Sequence, residues 1–359
     1  MVQSSGSFIP NFLFAEEMMT YDFGPNHPLK PERLRRTVAL LREEGVVVPV
    51  RPLPANREDL LRVHSDRYID AVERGEANSS FGIGTTDNPW VEGIHDKALW
   101  YVGGAVEAAR KVKDGDRLAI NISGGLHHAM RDKASGFCIY NDPAIMISIL
   151  RERFNRVAYV DIDVHHGDGV EAIYDSDPHV MTISIHESGR TLFPGTGFLS
   201  DTGEAGTNVN IPLQAKTSSD VWLWAFREIV PRAIDRFSPQ AIVLQMGTDP
   251  HYLDPLGHLQ VTAQDWVEAV RIVRDFGLPI AACGGGGYNL TTVPRMWAAA
   301  CMTLARIEVP EKIPEGLQEP LGAIHYFDQE DNLPLQIGLQ SAKEAVEFHM
   351  VNLRVLPRA

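Results

Sequence analysis

Two histidine pairs set among acids and glycines hold most of the chemistry available to this chain. They are Gly124-Gly125-Leu126-His127-His128 and Asp161-Ile162-Asp163-Val164-His165-His166-Gly167-Asp168-Gly169. Asp163 and His165 stand two positions apart. On an extended backbone that spacing turns both side chains to one face, so a carboxylate oxygen and an imidazole nitrogen can converge on one cation. Taken alone, the tripeptide also suits an acid and a histidine that merely hydrogen-bond a nearby loop. A second acid-bearing segment, Gly247-Thr248-Asp249-Pro250-His251-Tyr252-Leu253-Asp254-Pro255, favours the metal. Two carboxylates and one imidazole on a divalent ion leave a position open for water, as a catalytic centre requires.

Two other features have bland or rival readings. Cys138, Cys283 and Cys301 lie far apart with no CxxC spacing, and read as small buried thiols in a reducing compartment. The run Gly284-Gly285-Gly286-Gly287 before Tyr288 permits positive φ and close backbone approach, so a tight turn can lean over a ligand while presenting the next side chain. A phosphate cradle is the rival, but the run lacks a Gly-Lys-Ser/Thr ending.

The elements that must position these residues follow from periodicity. Apolar runs at 118–122, 157–161, 180–185, 241–246 and 279–283 predict strands. Amphipathic patterns near 29–44, 65–75, 102–113, 142–153, 218–236, 262–276 and 291–305 predict helices. Strand and helix alternate, which predicts an α/β fold with a mostly parallel sheet covered on both faces. Such sheets bind ligands beyond the carboxyl ends of their strands, where the candidate residues fall. No linker or low-complexity run divides the chain, so 1–359 reads as a single domain. Its motifs occupy about 21–305; a C-terminal packing segment, 306–359, includes a helical pattern near 341–352.

Composition sets outer limits. A hydrophobic fraction of 44% and a charged fraction of 22% suit a globular protein with a sizeable core. The net charge of −14 argues against nucleic acid as a partner. No run of eighteen apolar residues predicts a membrane span, and Met1 to Phe14 lacks a basic n-region, which together predict a cytoplasmic protein.

The motifs together resemble the histone deacetylase superfamily, in its class I-like bacterial and archaeal branch that includes acetoin utilisation proteins. The matching segments are Tyr21-Asp22, His27-Pro28, Pro31-Glu32-Arg33, the stretches 124–142, 159–169 and 184–197, Asp254-Pro255, and the glycine run with Tyr288-Asn289. The resemblance implies a three-layer arginase/deacetylase-like fold. It makes Asp163, His165 and Asp254 ligands of a catalytic Zn²⁺, in a mixed oxygen and nitrogen site that Fe²⁺ could also fill. Such an ion polarises an amide carbonyl and acidifies its bound water. His127 and His128 correspond to tandem catalytic histidines, and Asp161 and Asp168 to the carboxylates that orient them. His128 is assigned as general base and acid, His127 as electrostatic support. Tyr288 corresponds to the phenol that hydrogen-bonds the developing oxyanion.

For the substrate, the resemblance makes Phe137, beside Gly136, and Phe193 the walls of an acyl-lysine tunnel, and Asp87 a rim acid. An Asp before Asn-Pro is equally an ordinary turn former. Ser184 and Ile185, with the backbone at Asp161, Asp163 and His165, correspond to a structural K⁺ site, and Arg33 to an arginine near an internal product channel. Leu126 replaces a tryptophan common in eukaryotic members, and Leu253 a common glycine. Val261 takes the gatekeeper position that is acidic in acetylpolyamine deacetylases. The implied activity is therefore hydrolysis of acetyl-lysine or short acyl-lysine amides in proteins. An acetylated acyl-CoA synthetase is the substrate that acetoin utilisation suggests. Acetylpolyamine deacetylation, a non-catalytic acyl-lysine binder and a two-metal arginase-like hydrolase are the alternatives.

Overall fold

Six apolar runs pair edge to edge: β1 (Leu118–Asn121), β2 (Val157–Asp161), β3 (Val180–Glu187), β4 (Asn208–Leu213), β5 (Ala241–Gln245) and β6 (Ile280–Cys283). Their order is β1-β6-β5-β2-β3-β4, and every pairing is parallel. The structure, a computed structural model, describes Ile9 and residues 11–75, 77–330 and 333–355. Of the opening stretch read for targeting signals, 1–8 and 10 lie outside the described residues, as do 356–359 at the C-terminus.

Alternation along the strands separates two cores. In β2, Val157 and Tyr159 pack with Ala119, Val243 and Ala281; Ala158 and Val160 pack on the opposite face with Ile183, Leu244 and Ala282. Helices α4 (Ile94–Asp114), α5 (Asp142–Leu150) and α6 (Asp168–Tyr174) cover the first face. The second is covered by α1 (Glu32–Glu43), α7 (Ser219–Phe237), α8 (Ala263–Asp275), α9 (Thr292–Leu304) and α11 (Leu339–Val355). Three shorter pieces, α2 (Arg57–Leu61), α3 (Asp66–Glu73) and α10 (Glu315–Leu321), add Leu60, Tyr68 and Ile69 to the first core and Leu321 to the second. Among the described residues no helix is long and apolar enough to cross a membrane.

From β2 the chain proceeds through β3 to β4 on one side; from β5 it proceeds to β6 on the other. The crevice between the carboxyl ends of β2 and β5 is therefore a topological switch point, where a parallel sheet leaves room for a ligand.

Several elements depart from the sequence expectation, among them the short helices α2 and α10, which it did not include. The edge strand β4 was not predicted: its Asn208, Asn210 and Pro212 dilute the β signal, and proline is tolerated at an edge. The seven residues of α6 are too few to show a period. Helix α4 begins at Ile94, well before 102, because Ile94, Ala98 and Tyr101 extend its buried stripe towards a cap at Gly93.

Candidate metal centre and active site

The loops leaving the strand ends converge. The loop after β1 carries His127 and His128, β2 delivers Asp161 and then Asp163 and His165, β5 leads to Asp249 and Asp254, and β6 runs through the glycines to Tyr288. The fixed turn after β1 rests on Asp142 at the start of α5, whose carboxylate accepts the N–H groups of Gly125, at 2.9 Å, and Leu126, at 2.9 Å. Burial raises the pKa of Asp142 to about 7.

Each histidine of the tandem has its own acid. His127 Nδ1 is 2.7 Å from Asp161 Oδ2, which also accepts the Tyr159 hydroxyl at 2.6 Å. His128 Nδ1 is 2.6 Å from Asp168 Oδ1, and the two Nε2 atoms are 3.0 Å apart. Burial alone lowers the basicity of His127, but the charges of Asp161 and Asp163 outweigh it and carry its pKa up to about 9. His128 moves the other way, to about 4, through burial and the positive charge of His127. The two histidines are thus biased in opposite directions, His127 towards the charged form and His128 towards the neutral one. The geometry demands a glycine at 136: a Cβ there would stand 2.3 Å from His128 Cδ2, at a φ of +52°.

Donor atoms of Asp163, His165 and Asp249 lie within 4.8 Å of one another, all buried. Asp163 Oδ2 is held by Gln245 Nε2 and the Gly286 N–H, both at 2.8 Å. His165 Nδ1 faces Asp163 Oδ1 at 3.0 Å and Asp249 Oδ2 at 3.1 Å. Asp254, the third ligand implied by the resemblance, does not join that set. Its oxygens take the N–H groups of Leu256, at 3.0 Å, and Tyr288, at 2.7 Å. Burial, reinforced by neighbouring carboxylates, raises Asp249 to about 7 and Asp254 to about 6. The Asp163, His165 and Asp249 cluster, with the carboxyl of Asp254 nearby and two of these three acids reluctant to ionise, is an arrangement that a divalent cation would compensate.

Tyr288 packs edge-on to Phe137 at 5.9 Å, and Phe193 packs edge-on to His128 at 5.0 Å. Burial and the charges of Asp249 and Asp163 raise the Tyr288 phenol well above its ordinary value, so it stays a neutral donor. Tyr288, Phe137 and His128, with Leu29, Leu126 and Cys138, border a narrow cavity of about 20 Å³ that reaches Asp163 and His165; Phe193, 43% exposed, is not part of its lining. Asp87 accepts the Gly136 N–H at 2.6 Å. Arg33 is buried and donates to the carbonyls of Gly285, at 2.8 Å, and Gly287, at 3.1 Å, bracing the turn that presents Tyr288.

Other predicted residues fall elsewhere. Val261 is wholly buried in the core, with its N–H on the Pro250 carbonyl at 3.1 Å, and does not line the cavity; the gatekeeper expectation is corrected accordingly. Its apolar side chain is better satisfied beneath the metal-side loop than at a wet rim. Ser184 is the β3 register partner of Asp161, Ile185 is buried, and the Ser184 hydroxyl meets His186 Nδ1 at 2.8 Å. All three cysteines are free and buried. Sequence reasoning quoted Asp249 as an acid at a strand end without assigning it. It missed Gln245 and Tyr159, whose only signal was a polar atom inside an apolar strand.

A parallel sheet between helical layers, carrying such a donor cluster beside acid-backed histidines, is the architecture of metal-dependent hydrolases. Comparison with known proteins narrows the class. The histone deacetylase domain matches residues 27–304. The acetoin utilization protein AcuC of Bacillus subtilis (strain 168) is 40% identical over 326 residues, 84% of each chain. Histone deacetylase 1 of Homo sapiens is 34% identical across 97% of this chain and 76% of its own length. A solved HDAC homologue complexed with SAHA superposes with a TM-score of 0.82 at 28% identity, covering 94% of this chain and 99% of that one. The chain belongs to the histone deacetylase family, has its arginase/deacetylase-like fold, and is a hydrolase of the deacetylase type.

Proposed function

We propose that this deacetylase hydrolyses the amide of acetyl-lysine, or of a short acyl-lysine, in proteins and peptides and releases the acid. Asp163, His165 and Asp254 hold Zn²⁺ in this reading, Fe²⁺ being the other ion that suits a mixed oxygen and nitrogen site. The observation that carries it is the pair of acid-backed histidines, His127 on Asp161 at 2.7 Å and His128 on Asp168 at 2.6 Å, beside the buried cluster of Asp163, His165 and Asp249.

When bound, the cation supplies Lewis-acid polarisation of the amide carbonyl and a more acidic water. The chain's own groups do the rest. Phe137 and Phe193 flank the lysine stem and exclude water from it. His128, oriented by Asp168, accepts the proton of the attacking water at Nε2 and returns it to the leaving amine. His127, kept cationic by Asp161, stabilises the negative charge that builds up beside it. Tyr288 donates its hydroxyl to the oxyanion. Asp87 takes the substrate backbone at the rim. Beneath the centre, Asp161, Asp163, His165, Ser184 and Ile185 form a structural K⁺ site. An acetylated acyl-CoA synthetase in the cytoplasm is the partner in keeping with the likeness to AcuC.

The test is acetate release from an acetyl-lysine peptide by metal-stripped protein reloaded with Zn²⁺ or Fe²⁺. Activity restored by one stoichiometric ion supports the reading; full activity of the stripped protein overturns it.

A further inference from the structure

Outside the reaction centre, a cavity of about 460 Å³ opens at the rim, lined by Phe23, His27, Pro28, Asp87, Pro89 and Phe137 among others. It adjoins the tunnel through Phe137, which borders both. His27 is 7% exposed, and its ring lies 4.4 Å from Phe137 and 4.7 Å from Phe23. Its Nδ1 accepts the Leu29 N–H at 3.1 Å, so the neutral ring carries its proton on Nε2. Burial lowers its basicity and favours that neutral form. Nε2 is buried and has no hydrogen-bond partner of full geometry, and the Asp87 backbone is the acceptor that acts on the ring. Beside it, Asp87 spends Oδ2 on the Gly136 N–H and keeps Oδ1 as an acceptor.

An unspent donor and an unspent acceptor, side by side between apolar walls, match the C=O and N–H of a peptide backbone. We infer that His27 is a substrate-recognition residue that donates from Nε2 to a main-chain carbonyl next to the acyl-lysine, so that the rim selects peptides over polyamines. This inference rests on the lysine-deacetylase reading. A polyamine offers N–H groups and no carbonyl at that distance from its amide, so it can satisfy Asp87 but leaves His27 unpaired. Peptide binding gives this buried donor the bond it lacks in the free protein, whereas polyamine binding leaves it as it was, so only the peptide gains that stabilisation. Asn26 and Thr86, which line the same cavity, are exposed. A purely structural use of the same donor would be closure onto the Asp87 carbonyl, tying the two rim loops together.

The experiment compares kcat/KM for an acetyl-lysine peptide and for acetylspermidine in wild type, His27→Phe and His27→Gln. Phenylalanine keeps the ring contacts and removes the donor; glutamine restores one. The peptide-to-polyamine ratio is expected to fall about tenfold in His27→Phe, through KM, and to recover in part in His27→Gln. A proportional loss on both substrates, or an unchanged ratio, overturns the inference. Should His27→Phe not fold, wild type decides with peptides in which a methylene replaces each flanking carbonyl in turn. One of them must lose about tenfold in kcat/KM; equal rates for all overturn the assignment. A wild type that hydrolyses no acyl-lysine peptide sinks the lysine-deacetylase reading itself.

Discussion

At the residue scale, charge is distributed so that each side chain has one task. Tyr288 keeps its proton because burial and two nearby carboxylates oppose ionisation, and it is therefore suited to donate. Tyr288→Phe should cost about 10²–10³ in kcat while metal content and melting temperature stay near wild type; near-normal turnover would remove Tyr288 from the reaction. The carboxylates make a second prediction. Asp254→Asn should empty the metal site, whereas Asp249→Asn should weaken metal binding by about 10–100-fold through its contact with His165. Metal titration of both variants reads this directly, and the reverse order would make Asp249 the third ligand. The tandem histidines, their acids and Tyr288 were legible because spacing and family likeness both pointed to them. Asp249 and Gln245 were not: their roles depend on a loop from β5 folding back over β2, which no local pattern encodes.

At the scale of elements, one buried acid joins pieces distant in sequence. Asp328 accepts from His251 Nε2 at 3.1 Å and from the Ala263 N–H at 2.7 Å, and pairs with Arg295. It thus pins the metal-side loop to the start of α8 and to α9. Since His251 Nδ1 accepts the Leu253 N–H, its Nε2 is the donor, and the cation of the group is Arg295. Burial alone would raise the pKa of Asp328; the His251 hydrogen bond and the Arg295 charge instead hold it well below the ordinary value. A depressed carboxyl stabilises the fold above its unfolded pKa, about 4, and that stabilisation disappears as pH falls towards the folded value. Asp328→Asn should therefore cost about 3–5 kcal/mol at neutral pH, leaving Arg295 buried and unpaired. In denaturant titrations the gap to wild type should narrow below about pH 4. A gap independent of pH would contradict it. Sequence periodicity located the five long-patterned strands and most helices. It missed the edge strand β4 and the short helices α2, α6 and α10, which have too few residues to show a period of their own.

At the scale of the whole molecule, the parallel sheet could be read from alternating strand and helix patterns, but its order could not. The strand order creates the switch point between β2 and β5, and with it the site. The net charge of −14 is also a whole-molecule property, and it favours cationic substrates. For a lysine- and arginine-rich acetylated peptide, kcat/KM should fall several-fold between about 0.05 and 0.5 M salt, while a peptide lacking other cations should hardly respond. Equal responses would remove long-range attraction from the account. The most direct test of the central claim is acetate release by metal-defined protein from an acetyl-lysine peptide and from acetylspermidine side by side, with Asp163→Ala as control. The account predicts metal-dependent release chiefly from the peptide and almost none from the variant. Release chiefly from acetylspermidine, or at the same rate from Asp163→Ala, would contradict it.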